Sequence, residues 1–222
     1  MVRTPAFQAV NPGSIPGRVK NEFESLRIVM YDYHVILGAL GAGLGLLGYT
    51  LYFRSIFAGI TKPHVFTWLT YFLLDIIVFA AQVIKGGGAG TWVTLTGVIG
   101  TFCVAAVALR LGEKHIRMSD WISFGAALFA IVLWVLTDTP LLAVIIAAII
   151  NFLAMAPTFR KSYVNPFQES TSIWVLDIIR FSMGIIALES LNLTTALFPA
   201  ALVLGNAMLV AMILVRRRQL RV

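Results

Sequence analysis

Asp75, Asp177 and Arg180 stand inside stretches of the chain that are otherwise hydrocarbon. An ionisable side chain at the centre of a membrane span costs at least about 2.5 kcal/mol on insertion scales, so it faces water, a partner of opposite sign, or both. Trp68, Tyr71 and Asp75 are spaced i, i+3, i+7, and Trp174, Asp177 and Phe181 repeat that spacing with Arg180 beside them. Each set makes one stripe along a helix. Counting about 1.5 Å per residue from the two tryptophans puts Asp75 and Arg180 at a common depth of about 10 Å, where they could pair across an axis. Two arrangements fit these residues. Asp75, Asp177 and Arg180 line a polar cavity walled by Trp68 and Trp174, or Asp177 and Arg180, three apart on one helix, form a sealed pair that glues two halves together. Asn151 and Asn206 also fall at mid-depth, as solute contacts or as interhelical hydrogen bonds.

The rest of the composition says what must position these groups. Of 222 residues 59% are hydrophobic and only 12% charged, with mean hydropathy +0.88; a soluble domain of this length could not bury so much apolar surface. The expected class is an all-α integral membrane protein whose first partner is the lipid bilayer. The net charge of +7 lies in short segments between apolar runs rather than on an interleaved patch, which argues for membrane orientation and against nucleic acid. Residues 1–33 lack the apolar core and cleavage site of a signal peptide, and nothing is expected to be removed.

A helix needs about twenty apolar residues to cross a bilayer. On that measure spans are expected at 34–53, 64–84, 91–110, 121–136, 140–157, 171–190 and 194–215, seven in all. The fourth is the shortest, and Thr137, Asp138, Thr139 and Pro140 separate it from the fifth as a turn followed by a proline-led helix start. Residues 1–33 read as an external tail with a short interfacial helix, started by a capping box at Asn21 and Glu24. Gly86, Gly87, Gly88 and Gly90 read as a flexible outer loop. Gly38, Gly41, Gly43, Gly45 and Gly48 of the first span read as a close-packing face.

Eleven of the 17 basic residues fall after spans one, three and five and in the tail 216–222, five fall on the other side, and Arg180 is inside a span. The C-terminus is therefore expected in the cytoplasm and the N-terminus outside.

A shift of 106 without gaps lays YFRSIFAGITKPHVFTW on TFRKSYVNPFQESTSIW, superposing Phe53 on Phe159, Arg54 on Arg160 and Trp68 on Trp174. Two three-span units in one orientation need an extra crossing between them, and span four supplies it. The expected plan is 3+1+3: a first repeat over 34–110, a loop and linker helix over 111–139, and a second repeat over 140–215. This architecture resembles the SWEET and PQ-loop superfamily. The local likeness is strongest in APTFRKSYVNPFQESTSIW, where Pro157 stands at the family's helix-ending proline and Lys161 with Ser162 matches its basic, hydroxylated loop. Thr158 replaces the motif glutamine, and Leu51 with Tyr52 replaces the whole motif in the first copy. The chain is also similar to small bacterial inner-membrane proteins, which implies a multi-pass bacterial inner-membrane location.

The resemblance implies transport of a small polar or zwitterionic solute by alternating access; Asp75 or Asp177 could carry a coupling proton, since a carboxyl in a low-dielectric site has its pKa raised, and a second copy of the chain is a further candidate partner. It also implies that asparagines on the third helix of a repeat touch solute; Asn206 is so placed, but its counterpart is Gly100. The alternative is a receptor or scaffold subunit with this fold and a closed core. An enzyme is not expected, because no nucleophile has a partnered base on its surface. His34, His64 and His115 are too scattered for a metal site, and Cys103, the only cysteine, reads as a packing residue. No lysine falls in a span to hold retinal, and no other cofactor is implied.

Overall fold

The computed structural model describes residues 17–59, 63–112, 118–168 and 171–220, with side chains described from 33 onward at all but a few helical positions. Every regular element among them is helical. These are α1 (Gly17–Phe57), α2 (Val65–Ile84), α3 (Thr91–Leu111), α4 (Met118–Thr137), α5 (Pro140–Val164), α6 (Thr171–Ile186) and α7 (Leu193–Gln219), with short 3-10 turns at Gly88–Gly90 and Pro166–Gln168. Four helical segments among the described residues, Tyr33–Phe57, Val65–Ile84, Gly88–Leu111 and Leu193–Gln219, are long and apolar enough to cross a membrane. The apolar runs of α4 and α5 are shorter, at Phe124–Thr137 and Pro140–Met155. The architecture is thus an all-α, multi-pass membrane one. The chain divides into residues 1–33 and a compact unit, His34–Val222, and all packing below belongs to the second.

Local chemistry sets the helix ends. At α2 the Nδ1 of His64 accepts the Thr67 N–H at 3.4 Å, an N-cap role filled by an imidazole where Ser, Thr or Asp is usual. At α7 the Asn192 side chain accepts the Thr195 N–H at 3.2 Å while the Thr195 hydroxyl accepts the Asn192 N–H at 3.0 Å, a reciprocal capping box. Between α4 and α5, Asp138 takes φ 50° and Pro140 opens the next helix, as the sequence leads one to expect.

Within residues 34–222, α3 packs along α2, and α7 packs along both α5 and α6. Helix α4 lies on α2 and α5, where Ala127, Ala130, Ala143, Val144 and Ala147 meet Leu74, Ile77 and Val78; small residues there let the backbones approach. Helices α2–α5, α2–α7 and α3–α6 also touch. Helix α1 joins through its glycines: a Cβ at Gly41 would lie 2.8 Å from Val93 and 3.1 Å from the Arg180 carbonyl, and one at Gly45 would lie 2.7 Å from the Thr96 hydroxyl. Gly43 and Gly48 face open space, so only part of the glycine set is a packing face.

Several expectations are corrected. Helix α1 is already helical from Gly17, ahead of the capping box expected at Asn21 and Glu24, whose side chains lie outside those described. Helix α5 does not stop at Pro157 but continues to Val164. Contacts past the proline hold the extra turns: Phe159 packs on Met155, Leu209 and Ile213, and Arg216 Nε donates to the Tyr163 carbonyl at 3.1 Å. Helix α6 ends at Ile186 rather than near 190; its 16 residues span about 24 Å, short of a hydrocarbon core of about 30 Å. The chain beyond it turns inward, with Leu188 buried and the Glu189 carboxylate accepting the Ala89 N–H at 3.3 Å. The glycine segment after Lys85 is accordingly packed: a Cβ on Gly90 would sit 2.6 Å from the Gly184 carbonyl oxygen. Beside it, Gln82 Nε2 donates to the Thr195 carbonyl at 2.8 Å, so α2 and α7 are tied at the same end. The loop residues Lys62, Lys114, His115, Arg117 and Glu169 and the terminal Arg221 lie outside the described residues, as do the side chains of Arg160 and Lys161.

Candidate functional site

A cavity of about 390 Å³ opens among α1, α2, α3, α5, α6 and α7. Its volume falls in the range that holds a small organic molecule. The structure brings all eight residues singled out from sequence to its wall: Trp68, Tyr71, Asp75, Asn151, Trp174, Asp177, Arg180 and Asn206.

Arg180 is committed to the protein on three sides. Its Nε donates to Asp177 Oδ1 at 2.7 Å, and its guanidinium carbon stands 4.2 Å from the centre of the Phe181 ring. Its Nη1 is buried without a hydrogen-bond partner and lies where a Cβ on Gly45 would come within 2.9 Å. The expected Asp75–Arg180 pair is not formed. Asp177, one turn before Arg180 on the same helix, reaches the guanidinium first, as i,i+3 neighbours do. The ion pair and the cavity are therefore both present, but the pair is not sealed: it forms part of the wall.

Asp75 has a different environment. The Thr101 hydroxyl lies 3.2 Å from Asp75 Oδ2 and 2.8 Å from the Gly97 carbonyl, and donates to one at a time. Gly97 makes room for the carboxylate, since a Cβ there would stand 3.0 Å from Asp75 Oδ2. No described residue forms an ion pair with Asp75; Asp177–Arg180 is the ion pair found among the described residues.

Aromatic rings line the approach. The Tyr52 and Trp68 ring centres are 5.0 Å apart, and Trp68 and Tyr71 meet edge to face at 6.1 Å. The Tyr49 hydroxyl points to the Gly97 carbonyl at 3.4 Å, and the Tyr49 ring fills the space that a side chain on Gly100 would need. At Gly100, the position 106 before Asn206, the ring leaves no room for a side chain. Asn206 is only 2% exposed and Asn151 6%, and the Asn151 amide is 3.8 Å from Met155 Sδ.

Sequence reasoning missed Tyr49, Tyr52, Thr101, Met155, Thr158, Phe198 and Leu202, all on the wall. The signal for four of them was the shift of 106 carried further back. Gly45 with Asn151, Gly48 with Ala154, Tyr49 with Met155 and Tyr52 with Thr158 are pairs at that shift, as are Trp68 with Trp174, Tyr71 with Asp177, Leu74 with Arg180 and Asp75 with Phe181; both members of all eight pairs line the cavity.

No protein-family model, curated protein or solved structure matches the chain.

Proposed function

We propose that this is a seven-span membrane transporter of the SWEET or PQ-loop-like 3+1+3 plan, moving a small polar or zwitterionic solute by alternating access. The observation that carries the reading is the pairing of the cavity wall. Both members of eight residue pairs related by one constant shift line a single space, which is what two like triplets around a common axis would produce. The helix ends agree with it: Val65 and Thr171 begin α2 and α6 and are 106 apart. The packing agrees too, because the third helix of each triplet lies between the other two, and α2–α7 is matched by α3–α6. Helices α4, α5 and α6 would then complete the seven spans, the short α6 lengthened by the inward-turning 187–192. The positive loops favour a cytoplasmic C-terminus in a bacterial inner membrane.

A closed-core receptor or scaffold has no use for a space of about 390 Å³ with two carboxylates on its wall. Those carboxylates, Asp75 and Asp177, are the groups that could carry a coupling proton. The test is counterflow of a panel of neutral, cationic, anionic and zwitterionic solutes in proteoliposomes, with and without a pH gradient. Saturable counterflow of at least one solute is expected; none for any solute would move the protein to the receptor or scaffold class.

A further inference from the structure

The wall carries more acids than bases, and the imbalance bears on the solute. Two carboxyl groups, Asp75 and Asp177, stand on the wall against one guanidinium, Arg180, and the other titratable wall groups, Tyr49, Tyr52 and Tyr71, are phenols. The guanidinium is largely taken up by the protein: Nε donates to Asp177, one face lies on Phe181, and Nη1, though without a hydrogen-bond partner, is buried beside Gly45. An incoming anion would have to compete with all of these. Within the pair the carboxylate is the more open partner, with 29% of the Asp177 side chain exposed against 11% for Arg180. Asp75 holds only the Thr101 hydroxyl and no cation among the described residues. What the cavity presents to a solute is therefore carboxylate oxygen.

The remainder of the wall suits a cation with hydrocarbon around it. Tyr52, Trp68 and Tyr71 form a run of rings at 5.0 Å and 6.1 Å leading along α2 to Asp75, and Trp174 faces in from α6. Electron-rich ring faces attract ammonium groups, and most strongly when the rings are shielded from water. A sugar would ask for many paired hydrogen-bond groups, yet the surface that the cavity presents is mostly apolar. A free carboxylate on the solute would be repelled by Asp75 and Asp177, and the unpartnered Nη1 of Arg180 is closed to solvent.

From this geometry we infer that the cavity binds a small monocationic amine or quaternary ammonium, its charge against Asp75 and its carbon groups against Trp68, Tyr71 and Tyr52. The inference rests on the transport reading of the same cavity and narrows its solute from polar or zwitterionic to cationic.

The experiment is calorimetric titration of the full-length purified protein in detergent with choline, with its uncharged isostere 3,3-dimethylbutan-1-ol, and with glycine betaine. Choline is expected to bind saturably and at least about 10-fold tighter than the isostere, the size of one desolvated cation–π or charge contact. Asp75→Asn should weaken choline by at least about 10-fold and leave the isostere unchanged, whereas Asp75→Glu, which keeps the charge, should retain most of the binding and guards against misfolding of the amide variant. Equal affinity for choline and its isostere, or glycine betaine tighter than choline, would overturn the inference. Absence of choline binding together with counterflow of a neutral or zwitterionic solute would overturn the solute class and leave transport standing. Absence of both binding and all counterflow would remove the transport reading as well.

Discussion

Arg180 shows how one side chain can be structural and still shape a solute site. Its guanidinium answers Asp177, stacks on Phe181 and lies beside α1 at a glycine, so removing it leaves a partly buried acid with no counter-charge. Arg180→Gln should lower stability by about 1–3 kcal/mol, less than the loss on breaking a fully buried pair because Asp177 is partly open. Adding Asp177→Asn to it should recover part of the loss, read as the thermal midpoint in detergent, because the pair is coupled rather than additive. A double variant no better than Arg180→Gln would mean the two do not act as a pair. Gly45 gives a second test on the same contact. Gly45→Val drives atoms into the Thr96 hydroxyl and Arg180 and should cost about 1–3 kcal/mol, while Gly43→Ala, which meets nothing within 4 Å, should cost none. Equal midpoints for these two would show that α1 does not pack through the Gly45 face.

Helix boundaries were legible where the cause is local and obscure where it is a distant contact. The turn at Asp138 and Pro140 and the start of α6 near Trp174 follow from turn residues and apolar periodicity. The run of α5 past Pro157 does not, because what offsets the missing backbone hydrogen bond is packing of Phe159 on α7 and the Tyr163–Arg216 contact. The early end of α6 depends in the same way on Glu189 reaching the Ala89 N–H, a partner 100 residues away. Glycines after Lys85 read as a loose loop only until α6 is seen to fill their empty side. Two outcomes follow for this closed end. Gly90→Ala should destabilise more than Gly43→Ala, since its new Cβ would stand 2.6 Å and 2.7 Å from backbone atoms of Gly184 and Leu188 that cannot give way. Gln82→Leu should cost about 1 kcal/mol through loss of the hydrogen bond to the Thr195 carbonyl, measured by the same thermal melts; an unchanged midpoint would mean that α2 and α7 are not tied there.

For the whole molecule the central relation is between repeat and cavity. Ionisable groups in apolar runs marked half of the site from sequence alone, because such groups are costly unless they face something polar. The other half consists of ordinary residues, Tyr49, Tyr52, Thr101 and Met155, whose facing is fixed only when α1 settles against α3 and α6 and α7 packs along α5. The pairing of Tyr49 with Met155 and of Tyr52 with Thr158 at one shift is what turns a weak sequence repeat into a proposal about symmetry and passage. The most direct measurement of that account is whether water reaches the cavity. In a Cys103→Ala background, Asn206→Cys on the wall and Leu209→Cys in the sealed core one turn further along α7 would be challenged with a charged, membrane-impermeant thiosulfonate. The account predicts modification of the cysteine at 206, slowed by a saturating solute identified in counterflow, with the cysteine at 209 left untouched. Equal resistance at both positions would mean a dry seam between the halves, and the transport reading would fail.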